Sequence, residues 1–237
     1  MVFWTFSRVG RRAHGLEMGW VDDLVSADPV ARARAVRTFH QAEDERRRLQ
    51  RKVNAIWAEA GRPDPTVPHL ATRMDTARAE QDQADGYSLL RTLWDGWAWV
   101  DWGPDCFDGD PAELVHYSLR YLEWEARFPA EWHRHWGTKA VVLYRLSRRS
   151  DLTAADRARL AELVIAAVRR EHRCEDQGYA LVARAIATES LRERIAAQTR
   201  TPDRLTRLRA SFLLHLLDHP DQPAKPPAWK RWLAQDQ

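Results

Sequence analysis

An all-α fold, an α-α superhelix of stacked antiparallel helical hairpins, is predicted for these 237 residues by three observations. Helix starts recur: Asp28-Pro29, Asp110-Pro111 and Thr201-Pro202 each place a side-chain acceptor at an N-cap and proline in the first turn, where its missing N–H costs nothing. Apolar residues then follow a helical rather than an alternating period. Finally, the connections are short, which forces successive helices antiparallel.

Six helices are expected in the second half, over 111–127, 131–149, 154–171, 176–187, 189–199 and 202–219. In 153–170, Thr153 with Asp156 has the form of a capping box, and Leu160, Leu163, Val164, Ala167 and Val168 make a single apolar stripe. From Pro202 to His219 the apolar set, Leu205, Leu208, Phe212, Leu213, Leu216 and Leu217, is broad enough for a helix covered on two sides. Three segments share a small, basic or polar start and an apolar second half: Trp136 to Leu146, Gly178 to Ile186 and Leu205 to Leu216. Their spacing of about 30 to 40 residues is near the period of two-helix repeat units. Residues 105–219 are read on this basis as similar to HEAT and armadillo repeats, which implies a concave face offered to a macromolecular partner.

The first half has a different texture. Residues 29–60 read as a long helix with a highly charged centre from Glu43 to Lys52, open to a break near Gln41. Three prolines between Gly61 and Pro68 mark a connection, and a polar helix over 69–84 follows. Residues 18–104 are taken as an N-terminal helical region and 1–17 as a disordered leader, with Met18 an alternative start. At the other end, 220–237 is a proline-rich strap followed by a short helix that carries Trp229 and Trp232.

Charge is abundant but balanced, 37 Lys and Arg against 34 Asp and Glu for a net of +3, too mild to announce a nucleic-acid protein. Two distant cysteines, Cys106 and Cys174, form no framework and fit a reducing, cytoplasmic setting. Neither a membrane-length apolar run nor a signal-peptide pattern occurs. GxSxG, GxxxxGK[ST] and GxGxxG are all missing, so hydrolase, NTPase and dinucleotide readings have no support and no cofactor is expected. His133, His135, Asp105, Asp108 and Asp110 lack the spacing of a metal site, so none is assigned.

Two features could carry chemistry. The segment Leu93 to Trp102 holds Trp94, Trp97, Trp99 and Trp102 with Asp95 and Asp101 interleaved, and aromatic faces beside a carboxylate suit a flat or cationic ligand. The bland reading is that these tryptophans fill a joint in the core. Arginines also recur in successive hairpins; Lys139, Arg145, Arg173 and Arg207 are the candidates for contact with a partner or with nucleic-acid phosphates. Salt bridging to neighbouring acids is the competing use of such a run.

The stretch Trp97-Ala-Trp-Val-Asp101 resembles the Trp-x-x-Val-Asp segment of AlkD-type alkylpurine DNA glycosylases, which are HEAT-like, and Trp136-Gly-Thr-Lys139-Ala140 is similar to that family's Trp-x-x-Arg-Ala segment. The resemblance implies excision of cationic alkylated purines, with Trp97 against the base or sugar, Asp101 stabilising positive charge on the deoxyribose and Lys139 holding a phosphate. Lys139 stands where the family has arginine, and no Trp lies near Tyr179 to Leu181, where the family has another. The sequence thus points first to a helical-repeat binding or scaffold protein with a protein partner, and second to a DNA glycosylase, DNA being the other partner considered.

Overall fold

The computed structural model describes residues 18–61, 67–99, 110–132, 135–171 and 176–235. Among them every regular element is an α-helix: α1 (Trp20–Asp23), α2 (Pro29–Ala60), α3 (Pro68–Asp85), α4 (Leu89–Trp99), α5 (Pro111–Arg127), α6 (Trp136–Leu146), α7 (Ala154–Arg169), α8 (Asp176–Ala185), α9 (Glu189–Gln198), α10 (Arg204–Asp218) and α11 (Pro226–Gln235). No helix among the described residues is long and apolar enough to cross a membrane. The chain divides into two compact units, one of Met1–Trp20 with Ala33–Leu114 and the other of Val21–Arg32 with Val115–Gln237.

In the first unit α2 is continuous, without the break near Gln41 that its charged centre suggested. No glycine interrupts Pro29–Ala60 and its one proline stands at the start, while ion pairs Arg46–Glu43, Arg47–Asp44 and Arg48–Glu45 at i,i+3 spacing line the polar middle. Gly61, at φ 74°, ends the helix in the left-handed region that glycine enters without strain. Across from it, α3 packs Met74 and Ala77 on Val53 and Ile56, with Trp57 at the edge. Gln81–Gln50, Lys52–Glu80 and Arg73–Glu59 fix the register; as one residue number climbs the other falls, so the pair is antiparallel.

Ser88 joins these helices to α4. Its hydroxyl accepts the Arg91 N–H at 3.1 Å, capping α4, and donates to the buried carboxylate of Glu43. Nearby Asp85 is nearly buried at the end of α3, where one of its oxygens, Oδ1, has no hydrogen-bond partner. Burial pushes its carboxyl up from the ordinary value, against the pull of Arg91 and Arg46.

In the second unit, residues 21–32 are tied to α5: Asp22 takes Arg120 at 2.6 Å and His116 at 3.0 Å, and the Arg32 guanidinium lies 3.9 Å from the Phe128 ring centroid. Pro129 stops α5, and the expected helix over 131–149 is reduced to α6, Trp136–Leu146. Trp132 turns inward ahead of it, against Tyr121. The Thr153–Asp156 capping box at the head of α7 is complete. For α10 the cap is Asp203 rather than Thr201: its carboxylate accepts the Thr206 N–H at 2.6 Å, while Arg207 holds the Thr201 and Pro202 carbonyls outside the helix.

Packing in this unit runs α6 on α8, α7 on α8 and α9, and α10 on α9, α8 and α7. The α6–α8 crossing is close at Gly178, where an added Cβ would lie 2.9 Å from Leu143 Cβ and 2.8 Å from its Cδ1. Beyond α10 the strap returns, and Trp229 and Trp232 of α11 sit 5.0 Å and 5.4 Å from the Phe212 ring.

Two outcomes follow from these contacts. Gly178→Ala, although alanine is the better helix former by about 1 kcal/mol, is expected to lower stability by about 1–3 kcal/mol in urea denaturation, because the root of Leu143 cannot swing aside. For Asp85, the folded carboxyl holds its proton more tightly than the unfolded one. Its contribution is therefore greatest below the unfolded pKa and is lost as pH rises through the folded value. Asp85→Asn should accordingly gain stability relative to the native chain between about pH 3 and pH 7, and equal differences at both ends would refute the assignment.

Candidate ligand site

The charged centre of the second unit is Glu125. It lies on α5, a helix buried around most of its circumference, and only 3 % of its surface is exposed. Lys139 of α6 reaches it at 2.9 Å and Arg170, the C-cap of α7, at 3.2 Å, while the Tyr179 hydroxyl of α8 donates at 3.4 Å. Lys139 is completely buried, on the same inward face as Val142, Leu143 and Leu146. Its ammonium stands 5.0 Å from the Tyr179 ring centroid and 5.6 Å from that of Trp132, and Arg170 is 5.2 Å from Tyr179. Aromatic faces and one carboxylate thus supply the stabilisation that two desolvated cations require.

Tyr179 is also the wall between this cluster and a pocket of about 320 Å³. Val164 and Val168 of α7, Ala180 of α8 and Phe212, Leu213 and Leu216 of α10 form its apolar sides. Ala224, Lys225, Pro226 and Trp229, from the strap and α11, close it. Arg209 of α10 enters nearly buried, donating from Nη1 to the Arg170 carbonyl oxygen. Among the described residues of the lining, Arg209 and Lys225 carry charge.

On the opposite flank Glu123 receives Arg159 through two hydrogen bonds of 2.7 Å and 3.0 Å, with Arg120 at 3.1 Å. Burial pushes this carboxyl up, but the Arg159 hydrogen bonds and the charges of Arg159 and Arg120 outweigh it and hold it below the ordinary range.

The residues singled out in the sequence are not gathered into one site. Trp97 is wholly buried, whereas Trp94, on the same helix, is exposed. Asp101 and Arg173 lie outside the described residues, as do Trp102, Asp105, Asp108 and His133. Lys139 is engaged by Glu125 in the interior rather than turned to solvent. Arg145 is half-buried with its guanidinium 5.9 Å from the Tyr144 ring, and Arg207 is spent on two backbone carbonyls. Among the described residues no group of three or more His, Cys, Asp or Glu could hold a metal ion.

Sequence reasoning missed Tyr179 and the pocket. The available signal was Lys139, a charge in phase with Val142, Leu143 and Leu146, which marks a buried cation in need of a carboxylate partner. No family model, curated protein or solved structure matches the chain.

Removing one member of the buried pair should be severe. Glu125→Gln is expected to cost about 3–5 kcal/mol in urea denaturation, and Glu125→Leu combined with Lys139→Met should cost less than the sum of the two single changes. Strict additivity would show that the two charges are not coupled.

Proposed function

We propose that this chain is a helical-repeat binding protein, an α-α superhelix of the HEAT-like kind that engages a protein partner and performs no chemistry of its own. The packing order supports the repeat reading. Contacts of α6 with α8, α8 with α10 and α7 with α9 skip one helix, and contacts of α7 with α8 and α9 with α10 join neighbours, which is how two rows of hairpins stack.

The observation that carries the choice of partner is the employment of the arginines. Arg159 is bound to Glu123, Arg169 to Gln198, Arg194 to Glu162 and Arg192 to Asp218. Arg184 donates to the carbonyls of Leu216, His219 and Gln222, and so completes the C-terminal end of α10. Arg157 likewise serves the carbonyls of Ser150, Leu152 and Ala185. These side chains lace one helix to the next, where a phosphate-binding ridge would need them turned outward.

What α6 does present outward is aromatic. Trp136 and Tyr144, eight residues apart and so near one face of the helix, are 53 % and 45 % exposed, and Arg145 and Arg148 lie over the Tyr144 ring. Aromatic residues with arginine are the composition favoured at the centres of protein interfaces.

Duplex DNA, with and without an abasic site, is the discriminating probe. Little binding is expected at about 50 mM salt and no steep loss of affinity by about 200 mM. Tight binding with a steep salt slope and a preference for the lesion would overturn the reading in favour of the glycosylase, and would call for a base-release assay on Asp101→Asn.

A further inference from the structure

We propose that His215 and His219, at the C-terminal end of α10, chelate a late first-row divalent cation of the zinc and copper class. The inference goes beyond partner binding and uses residues that belong neither to the Glu125 cluster nor to the pocket lining. Residues four apart on a helix share a face, and two histidines at that spacing are one way for a single helix to hold such an ion. The helical turn between this pair is intact. The His219 N–H donates to the His215 carbonyl oxygen at 3.0 Å, and the two imidazole centroids stand 4.2 Å apart.

Each ring has a nitrogen to offer. Nδ1 of His219 lies 2.8 Å from the His215 carbonyl oxygen; a carbonyl only accepts, so Nδ1 carries the hydrogen and the lone pair of the neutral ring is on Nε2. Metal-binding histidines are oriented in this manner, with the second nitrogen fixed on a backbone carbonyl. On His215, Nε2 is buried without a hydrogen-bond partner, and an orphaned buried nitrogen calls for a water or an ion. Two imidazoles that share an ion about 2.1 Å from each hold those nitrogens about 3.4 Å apart. Rings with centroids 4.2 Å apart reach that span by small side-chain rotations.

The ligand set selects the cation. Calcium and magnesium need several oxygens, and the carbonyls at this helix end are engaged: Arg184 serves those of Leu216 and His219, Arg192 that of Leu217, and His219 that of His215. Asp218 is paired with Arg192 at 2.7 Å. Imidazole nitrogen suits copper, nickel and zinc instead, and with two protein ligands the site is an open one whose sphere water completes. The partial negative charge at the C-terminal end of a helix favours a cation in this place. His219 is exposed and gives the ion its way in, while the His215 ring is 6.4 Å from that of Trp232, which sets the site beside α11.

The test is calorimetric titration of the full chain with the chlorides of copper(II), nickel(II), zinc(II) and magnesium. The tightest copper ion should bind one per chain, ahead of nickel and zinc, and magnesium should not bind. His219→Gln, a change at an exposed residue, should weaken that copper ion and zinc about tenfold or more, and His215→Gln should do the same. The double substitution should add little, because a single imidazole no longer chelates. His69→Gln, at an exposed position on α3, is the control and should leave both affinities unchanged. Zinc should raise the thermal unfolding midpoint of the native chain and of His69→Gln but not of His219→Gln, whose midpoint without metal stays native. Copper and zinc binding indifferent to His215→Gln and His219→Gln, equal weakening by His69→Gln, or magnesium bound as tightly as zinc would overturn the proposal.

Discussion

The carboxylate of Glu125 connects four helices. It receives Lys139 from α6, Arg170 from the end of α7 and the Tyr179 hydroxyl from α8, and it belongs to α5 itself. Charges removed from water are costly unless each finds a partner with good geometry, so this cluster penalises any arrangement of the four helices other than the native one. An apolar core tolerates small shifts of its helices; an ammonium with no exposed surface and a carboxylate 2.9 Å away does not. The pocket depends on the same interaction, since Tyr179 is both a member of the cluster and the pocket wall.

Around that centre, arginine does work that in many helical proteins falls to apolar contacts. Its planar fork can serve several backbone carbonyls at once, and helix ends supply carbonyls without partners. Arg184 of α8, serving the end of α10, and Arg157 of α7, serving the loop before it, show the pattern. Among the described residues of the second unit, much of the arginine therefore serves internal cohesion.

The legible part of the site was one of its charged members, Lys139, and not its role. Lys139 and the hairpin arginines stand out in the sequence, but their spacing is compatible with either a surface ridge or a buried network. Periodicity reports which residues share a helical face and not what covers that face. Trp97 illustrates the same limit: four tryptophans in ten residues read equally as a ligand groove or as packing, and the folded unit buries Trp97 while leaving Trp94 at the surface.

The sequence by itself determined the helices. Asp28, Asp110 and Thr153 as caps, prolines in first turns and an apolar period near 3.6 are local properties, and they recur at α2, α5 and α7 because capping and periodicity act within a few residues. Tertiary structure decided what long-range partners decide. It drew Trp132 into the core ahead of α6, paired the buried Glu43 with Ser88 and set Lys139 against Glu125. The physical reason is that a side chain's cost of burial depends on which groups from other helices meet it, and those meetings are not encoded in the spacing of any one segment.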